Sequence, residues 1–369
     1  MSAGRFDLGL HLNDASTLLT EFSNVWRGRP RPRDSSRQQH RGRSSGVPET
    51  EAKEAIVKSR NAARLTAPLL LALCALAQNQ DRPKLTSISH LAVYTTDATK
   101  TERFYVHDLG GEKAVDPENP AGVRYYFSPT QFVEVLPLPA GPASINRLDH
   151  AAFNTTNAEA MRKYLQAHGV AVPSAVTQAS DGSQYFDVKD PEGNKVQFVQ
   201  SPSPPPAPAR PVTGPTISTH IIHVGYVVHD PAAEDAFYRT LLGFRPYWRG
   251  GMEDDVTDWV SQQVPDGTDW LEYMVVRSPE KLGIPSSMSQ EELGVLDHFS
   301  LGVENMEKSV TLLYNGDRMS GKHSEAEIGR DGKWQFDLYD PDGIRAELME
   351  FQPVAKPCCS PFLLPSPNE

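Results

Sequence analysis

One half of this chain repeats the other, and that constrains its fold more than any single motif does. The octapeptide HLAVYTTD at 90–97 is answered by HVGYVVHD at 223–230. In both copies Phe-Tyr falls fourteen residues after the histidine, at Phe104-Tyr105 and Phe237-Tyr238, and Leu-Gly follows at Leu109-Gly110 and Leu242-Gly243. Leu148-Asp149-His150 then matches Leu296-Asp297-His298, and FDVKDPEGNKVQF (186–198) matches FDLYDPDGIRAEL (336–348). Landmarks that keep one order through two copies mark a duplicated unit. Between the copies, SPSPPPAPARPVTGPT (201–216) is rich in proline, which lacks a backbone donor and favours extended chain, so it reads as a semi-rigid linker. Module one is expected at about 84–200 and module two at about 217–352, with a solvated, disordered tail at 353–369.

Periodicity gives the order within a module. An apolar strand (88–95; 220–228) ends at an Asp placed to cap the helix that follows (98–109; 231–242). Further strands carry Glu134 in QFVEVLPL and Glu272 in DWLEYMVV. The pattern then restarts with a strand led by Asp-His (148–155; 296–303), a helix (157–168; 304–315) and three more strands. Asp-Pro-Asp/Glu-Gly before the last strand is a turn signature, because Pro sets φ and Gly permits positive φ. Each module is therefore a pair of βαβββ units, an α+β arrangement.

At 369 residues the chain is too long for one ordinary domain. Its net charge of −11 argues against a broad nucleic-acid surface, which needs clustered Lys and Arg. The one strongly basic stretch, Arg27–Arg43, lies in a polar segment (1–57) that reads as disordered, or as an extension added by an upstream start. Three cysteines cannot make a disulfide framework. Cys358 and Cys359 read as two tail thiols, and no cysteine reads as a metal ligand.

Residues 58–80, KSRNAARLTAPLLLALCALAQNQ, place basic residues before an apolar run and then Ala75-Leu76-Ala77. That is the order of a secretory signal, and the run is too short for a stable membrane span. The expectation is export, periplasmic or secreted, from a true start near Val57. The alternative is an apolar helix packed on the domain of a cytoplasmic chain.

The His-strand with Gly-Tyr-Val-Val, the Phe-Tyr-x3-Leu-Gly helix, the Leu-Asp-His strand and the Asp-Pro-Asp-Gly-x3-Glu strand together resemble the vicinal-oxygen-chelate superfamily. That family includes glyoxalase I, extradiol ring-cleaving dioxygenases, small-acid epimerases and antibiotic-resistance proteins. The resemblance spans about 84–352. It implies two tandem glyoxalase-like modules, each a mixed sheet curled around a cavity, with metal ligands on the first, fourth, fifth and eighth strands. Carried over, module two supplies His223, Glu272, His298 and Glu347. Module one supplies His90, Glu134, His150 and Gln197 as a second possible site, the amide replacing a carboxylate.

Two imidazoles and a carboxylate on one face suit one divalent ion, Fe, Ni, Zn or Mn. A strand histidine taken alone is more often a satisfied core residue; four ligand types at four matching strands are harder to dismiss. His323 and Asp337 are further acid/base candidates, and Trp248, Trp259 and Trp270 are candidate pocket walls. Asp149 and Asp297, one residue before the histidines, are expected on the other face of the sheet. The leading expectation is a metal-dependent lyase or isomerase acting on a small oxygen-chelating substrate, with Glu347 or Glu272 moving a proton. An extradiol Fe(II) dioxygenase is the alternative, although Asp337 stands where that branch carries tyrosine. A non-catalytic pocket that sequesters a small molecule is the third. Partners are then a small-molecule substrate, with a monomer or a homodimer as the assembly.

Overall fold

Burial of β9, Ile221–Val228, is complete along its whole length, so both faces of the strand are covered. Val224, Tyr226 and Val228 join the apolar core on one side, which leaves His223 and Gly225 on the other. That division recurs throughout the chain and is what creates a polar interior beside an apolar one.

The computed structural model describes residues 81–139, 146–202, 216–276, 288–319 and 321–368. The basic segment, the signal-like segment with Cys74, and most of the linker lie outside them. Module one contributes β1 (Leu85–Thr95), β2 (Glu112–Val115), β3 (Val123–Ser128), β4 (Gln131–Pro137), β5 (Leu148–Thr155), β6 (Thr177–Gln178), β7 (Gln184–Lys189) and β8 (Lys195–Gln200). After β9, module two contributes β10 (Arg245–Gly250), β11 (Trp259–Gln263), β12 (Trp270–Val275), β13 (His298–Val303), β14 (Glu327–Ile328), β15 (Trp334–Tyr339) and β16 (Arg345–Glu350). Each module forms one curled, eight-stranded mixed sheet, ordered β2-β3-β4-β1-β5-β8-β7-β6 and β10-β11-β12-β9-β13-β16-β15-β14. The two βαβββ halves of each sheet meet at the antiparallel pairs β1/β5 and β9/β13, while β1/β4 and β5/β8 run parallel, as do β9/β12 and β13/β16.

Asp97 and Asp230 cap the first helix of each module, accepting from the amides of Lys100 and of Ala232 and Ala233. Both helices then widen into a π-helical turn, Arg103–Asp108 and Ala236–Leu241, which the α-helical spacing did not anticipate. Neither did it anticipate the helix Gln290–Leu296, although its capping box, Ser289 with Glu292, is visible as SQEE in the sequence.

The modules share one core. Phe299 of β13 lies 6.2 Å from the ring of Tyr105, and Phe153 of β5 lies 5.3 Å from Phe244. Burying one such ring is worth roughly 1.5–3 kcal/mol.

Two expectations about the C-terminal segment are corrected. The tail is held against the second sheet rather than disordered, though much of its surface stays exposed: Phe362 lies on Tyr247 at 4.8 Å, the Tyr247 hydroxyl meets Ser366 at 2.6 Å, and the Gln263 amide donates to the Pro365 carbonyl. Even the Asn368 carbonyl is held by His220. Its prolines are backbone acceptors without donors, so polar side chains of the sheet edge can bind them. Cys358 and Cys359 are joined by a disulfide rather than standing as two thiols.

Candidate metal centres

Strand register brings the ligand-type residues together on two adjacent rungs. In module two, one rung runs Trp270, His223, Ser300, Glu347, Asp337 across β12, β9, β13, β16 and β15. The next runs Glu272, Gly225, His298, Arg345, Tyr339. Residues side by side on neighbouring strands share a face, so all of these point into the curled side of the sheet.

His223, His298 and Glu347 converge, with one ligand atom from each lying within 4.8 Å of the others. The two Nε2 atoms are 2.9 Å apart, and Glu347 Oε2 is 3.1 Å from His223 Nε2. Glu272 stands beside them, Oε2 3.7 Å from His298 Nε2, while its Oε1 accepts from the Ser261 hydroxyl at 3.1 Å. His298 Nδ1 donates to the Leu296 carbonyl at 2.7 Å, which turns its Nε2 lone pair toward His223. Gly225 makes room: a Cβ there would overlap the His298 imidazole. Trp270 stacks on His223 at 4.6 Å and walls that side.

Burial holds both imidazoles well below their ordinary pKa, helped by the nearby Arg345 charge, so both are neutral as ligation requires. Burial pushes Glu347 up, opposed by Arg345, and pushes Glu272 up to about 8 with Glu347 adding to it. Arg345, 3.8 Å from Glu347, is the cation that stands beside these two carboxyls.

The donor set fits a divalent ion. Two nitrogens each about 2.1 Å from one ion and at right angles are about 3 Å apart, which is the separation present in both modules. Glu347 Oε2 is buried and has no hydrogen-bond partner of its own. Neutral imidazoles with a carboxylate suit Fe, Ni, Zn or Mn alike.

Module one repeats the arrangement. His90, Glu134 and His150 form a buried group of the same tightness, with the Nε2 atoms 2.9 Å apart and Glu134 Oε2 3.8 Å from His150 Nε2. Gln197 shares the rung of His90, and Glu134 that of His150.

Asp149 corrects the expectation that it would face away. A β-bulge sits at this residue, where Ala92 pairs with His150 but Val93 pairs with Leu148. The bulge turns the Asp149 carboxylate onto His150 Nδ1 at 2.6 Å. Asp297 has no such bulge; as the C-cap of the preceding helix it instead accepts from the amide of Val227.

Of the acid/base candidates, Asp337 lies on the Glu347 rung, 3.6 Å from Arg345, and burial pushes its carboxyl up to about 6. The structure does not bring His323 to the site. Its exposed ring lies on Phe336, which is on the opposite face of β15 from Asp337. Trp248 and Trp259 pack behind Trp270, in the small apolar cluster that also holds Tyr247 and Phe351. Sequence reasoning missed Arg345 and Lys333. Arg345 was legible, since a strand residue two before Glu347 faces the same way; Lys333 comes off a turn and is placed only by tertiary packing.

Paired curled sheets, each carrying buried histidines and carboxyl groups at one fixed set of strand positions, define a tandem scaffold with two candidate ion sites. The chain belongs to the Glyoxalase/Bleomycin resistance protein/Dioxygenase superfamily, which it matches over residues 87–198 and 220–348. Among curated proteins none matches. Solved structures of similar fold include a catechol 2,3-dioxygenase (15% identical, TM-score 0.52, covering 78% of this chain and 96% of that one). They also include the 2,3-dioxygenase LapB from Pseudomonas sp. KL28 (17%, TM-score 0.51, 74% and 98%). A third is homoprotocatechuate 2,3-dioxygenase from Brevibacterium fuscum (17%, TM-score 0.52, 74% and 82%). At these identities the likeness speaks to the fold. No described helix is long and apolar enough to cross a membrane.

Proposed function

We propose that the chain is a metal-dependent enzyme whose working centre is module two, and that it moves a proton on a small substrate presenting two adjacent oxygens. The observation that carries this reading is Glu272. It brings a fourth donor-type side chain to within 3.7 Å of His298, beside the His223, His298, Glu347 group. A divalent ion held there would polarise the substrate oxygens as a Lewis acid. Glu347, on the rung of His223, serves as the carboxylate ligand. Glu272 has one oxygen held by Ser261 and the other turned toward the imidazoles, which orients it as the base that takes a proton from one substrate carbon and returns it to the next. Trp270 excludes water on the His223 side. Arg345, 3.8 Å from Glu347, offsets the carboxylates facing the cavity.

A second reading, ring cleavage by an extradiol-type Fe(II) dioxygenase, is favoured by the tight three-residue group, since two His and one carboxylate leave further positions open. The two readings separate on one experiment. Protein purified without added metal is analysed for iron, nickel, zinc and manganese, then offered catechols in an oxygen electrode and 2-hydroxycarbonyl compounds in deuterated buffer. Proton transfer predicts carbon-bound deuterium without oxygen uptake. Iron with catechol-dependent oxygen uptake overturns it in favour of ring cleavage.

A further inference from the structure

We propose that module one is a second divalent-ion site, distinct from that of module two, in which His90, Glu134 and His150 ligate and the Gln197 amide oxygen completes the set. The inference goes beyond the reading of module two and does not depend on it.

Four observations carry it. Both imidazoles are locked from behind, so that Nε2 is the free ligand atom: His150 Nδ1 meets Asp149 at 2.6 Å and His90 Nδ1 meets Ser89 at 3.0 Å. Asp149 is fixed in turn by Lys195 and Tyr94. Such outer partners fix the ring orientation and raise ligand basicity, and they are more complete here than in module two, where His223 Nδ1 is buried without a partner. The Glu134 carboxylate is divided, Oε1 facing Arg124 at 3.9 Å and Oε2 facing His150 at 3.8 Å. Gln197, 2% exposed, donates its amide to Glu118 at 3.1 Å, and its Oε1 is buried with no hydrogen-bond partner.

Charge supplies the fourth. Side chains of Asp116, Glu118 and Glu134, each at most 7% exposed, surround the single guanidinium of Arg124. Lys195 is engaged with Asp149. Three buried carboxylates against one cation leave a surplus that a divalent ion would neutralise, and uncompensated buried charge is expensive. Two imidazoles, one carboxylate and an amide oxygen suit a borderline ion such as Co(II), Zn or Ni.

The test is titration of the full metal-free chain with Co(II), followed by visible absorption and by metal analysis after gel filtration. Expected are two equivalents for the native chain and one for His298→Ala, the remaining ion being lost when His150→Ala is added. Glu134→Gln, which keeps the side-chain shape, is expected to weaken that ion roughly 10–100-fold, with circular dichroism unchanged. One equivalent in the native chain, lost with His298→Ala and untouched by His150→Ala or Glu134→Gln, would overturn the second site and leave module two intact. No bound Co(II) at all would overturn both.

Discussion

The Asp342 carboxylate of module two accepts from the backbone amide and the hydroxyl of Thr96 in module one, at 2.9 and 2.8 Å. Thr96 directly follows the first strand of its module, and Asp342 sits in the Asp-Pro-Asp-Gly turn. The reciprocal contact exists as well: Glu192, in the Asp-Pro-Glu-Gly turn of module one, accepts from the amides of His229 and Asp230 at 2.6 and 2.5 Å. Asp340 and Asp190 likewise take the hydroxyls of Tyr105 and Tyr238. Turns that read as hairpin punctuation are a two-way clasp between the modules.

Removing one half of that clasp should loosen the pair. Asp342→Ala is expected to lower stability by about 1–3 kcal/mol, because it strips acceptors from Thr96 and Arg147. Urea denaturation measures it. An unchanged midpoint would mean that this half of the clasp adds nothing to the join.

Gly225→Ala tests whether the His298 ring needs its present place. The added methyl overlaps that ring, so the ring must swing off the cavity. Module two is then expected to lose at least about tenfold in ion affinity, by analogy with other changes that misplace a ligand. Isothermal titration against the native chain decides it, and equal affinity would contradict the packing argument. Module one carries Ala92 at the matching register and still holds its Nε2 atoms 2.9 Å apart, so equal affinity would mean that the His298 ring can take the placement His150 already has.

Glu272→Gln keeps the volume and removes the base. Deuterium incorporation into substrate is expected to fall by roughly 10²–10⁴-fold while the ion content of module two stays constant. If exchange persists at the native rate, the proton is carried by another group.

Lys333 gives a pH signature. Its amine is fully buried against Tyr247, Trp270 and Phe362, with Asp331, Glu347 and Glu272 as the carboxylates around it. Burial pushes it from 10.5 down to about 8, although those carboxylates resist. The folded chain therefore releases this proton before the unfolded chain does. Its contribution is present above pH 10.5, shrinks below that, and is lost as pH falls through 8. Stability should rise across that window by up to about 3 kcal/mol. In Lys333→Met the rise should vanish. Melting temperatures at several pH values in both proteins provide the comparison; parallel curves would refute it.

Much of the architecture was legible because duplication doubled every signal. A strand such as HVGYVV is ambiguous alone, but its partner HLAVYT fixes its start, its parity and the cap at its end. The four candidate ligand positions followed from family likeness, and the strands bring them to one face. What stayed hidden needed geometry that period-two counting cannot supply. Asp149 changes face through a bulge, a one-residue slip with no residue signature of its own. Lys333 is buried because aromatic rings from three separate stretches enclose its amine. The clasp residues looked like turn formers because their local role is that of turn formers, and the second role lies in the other module.

The docked carboxyl-terminal segment has a practical consequence for anyone handling the protein. Phe362 and Ser366 engage Tyr247, and the Asn368 carbonyl engages His220. A cut made ahead of Phe362 would strip those partners and leave the Tyr247 side of the second sheet bare.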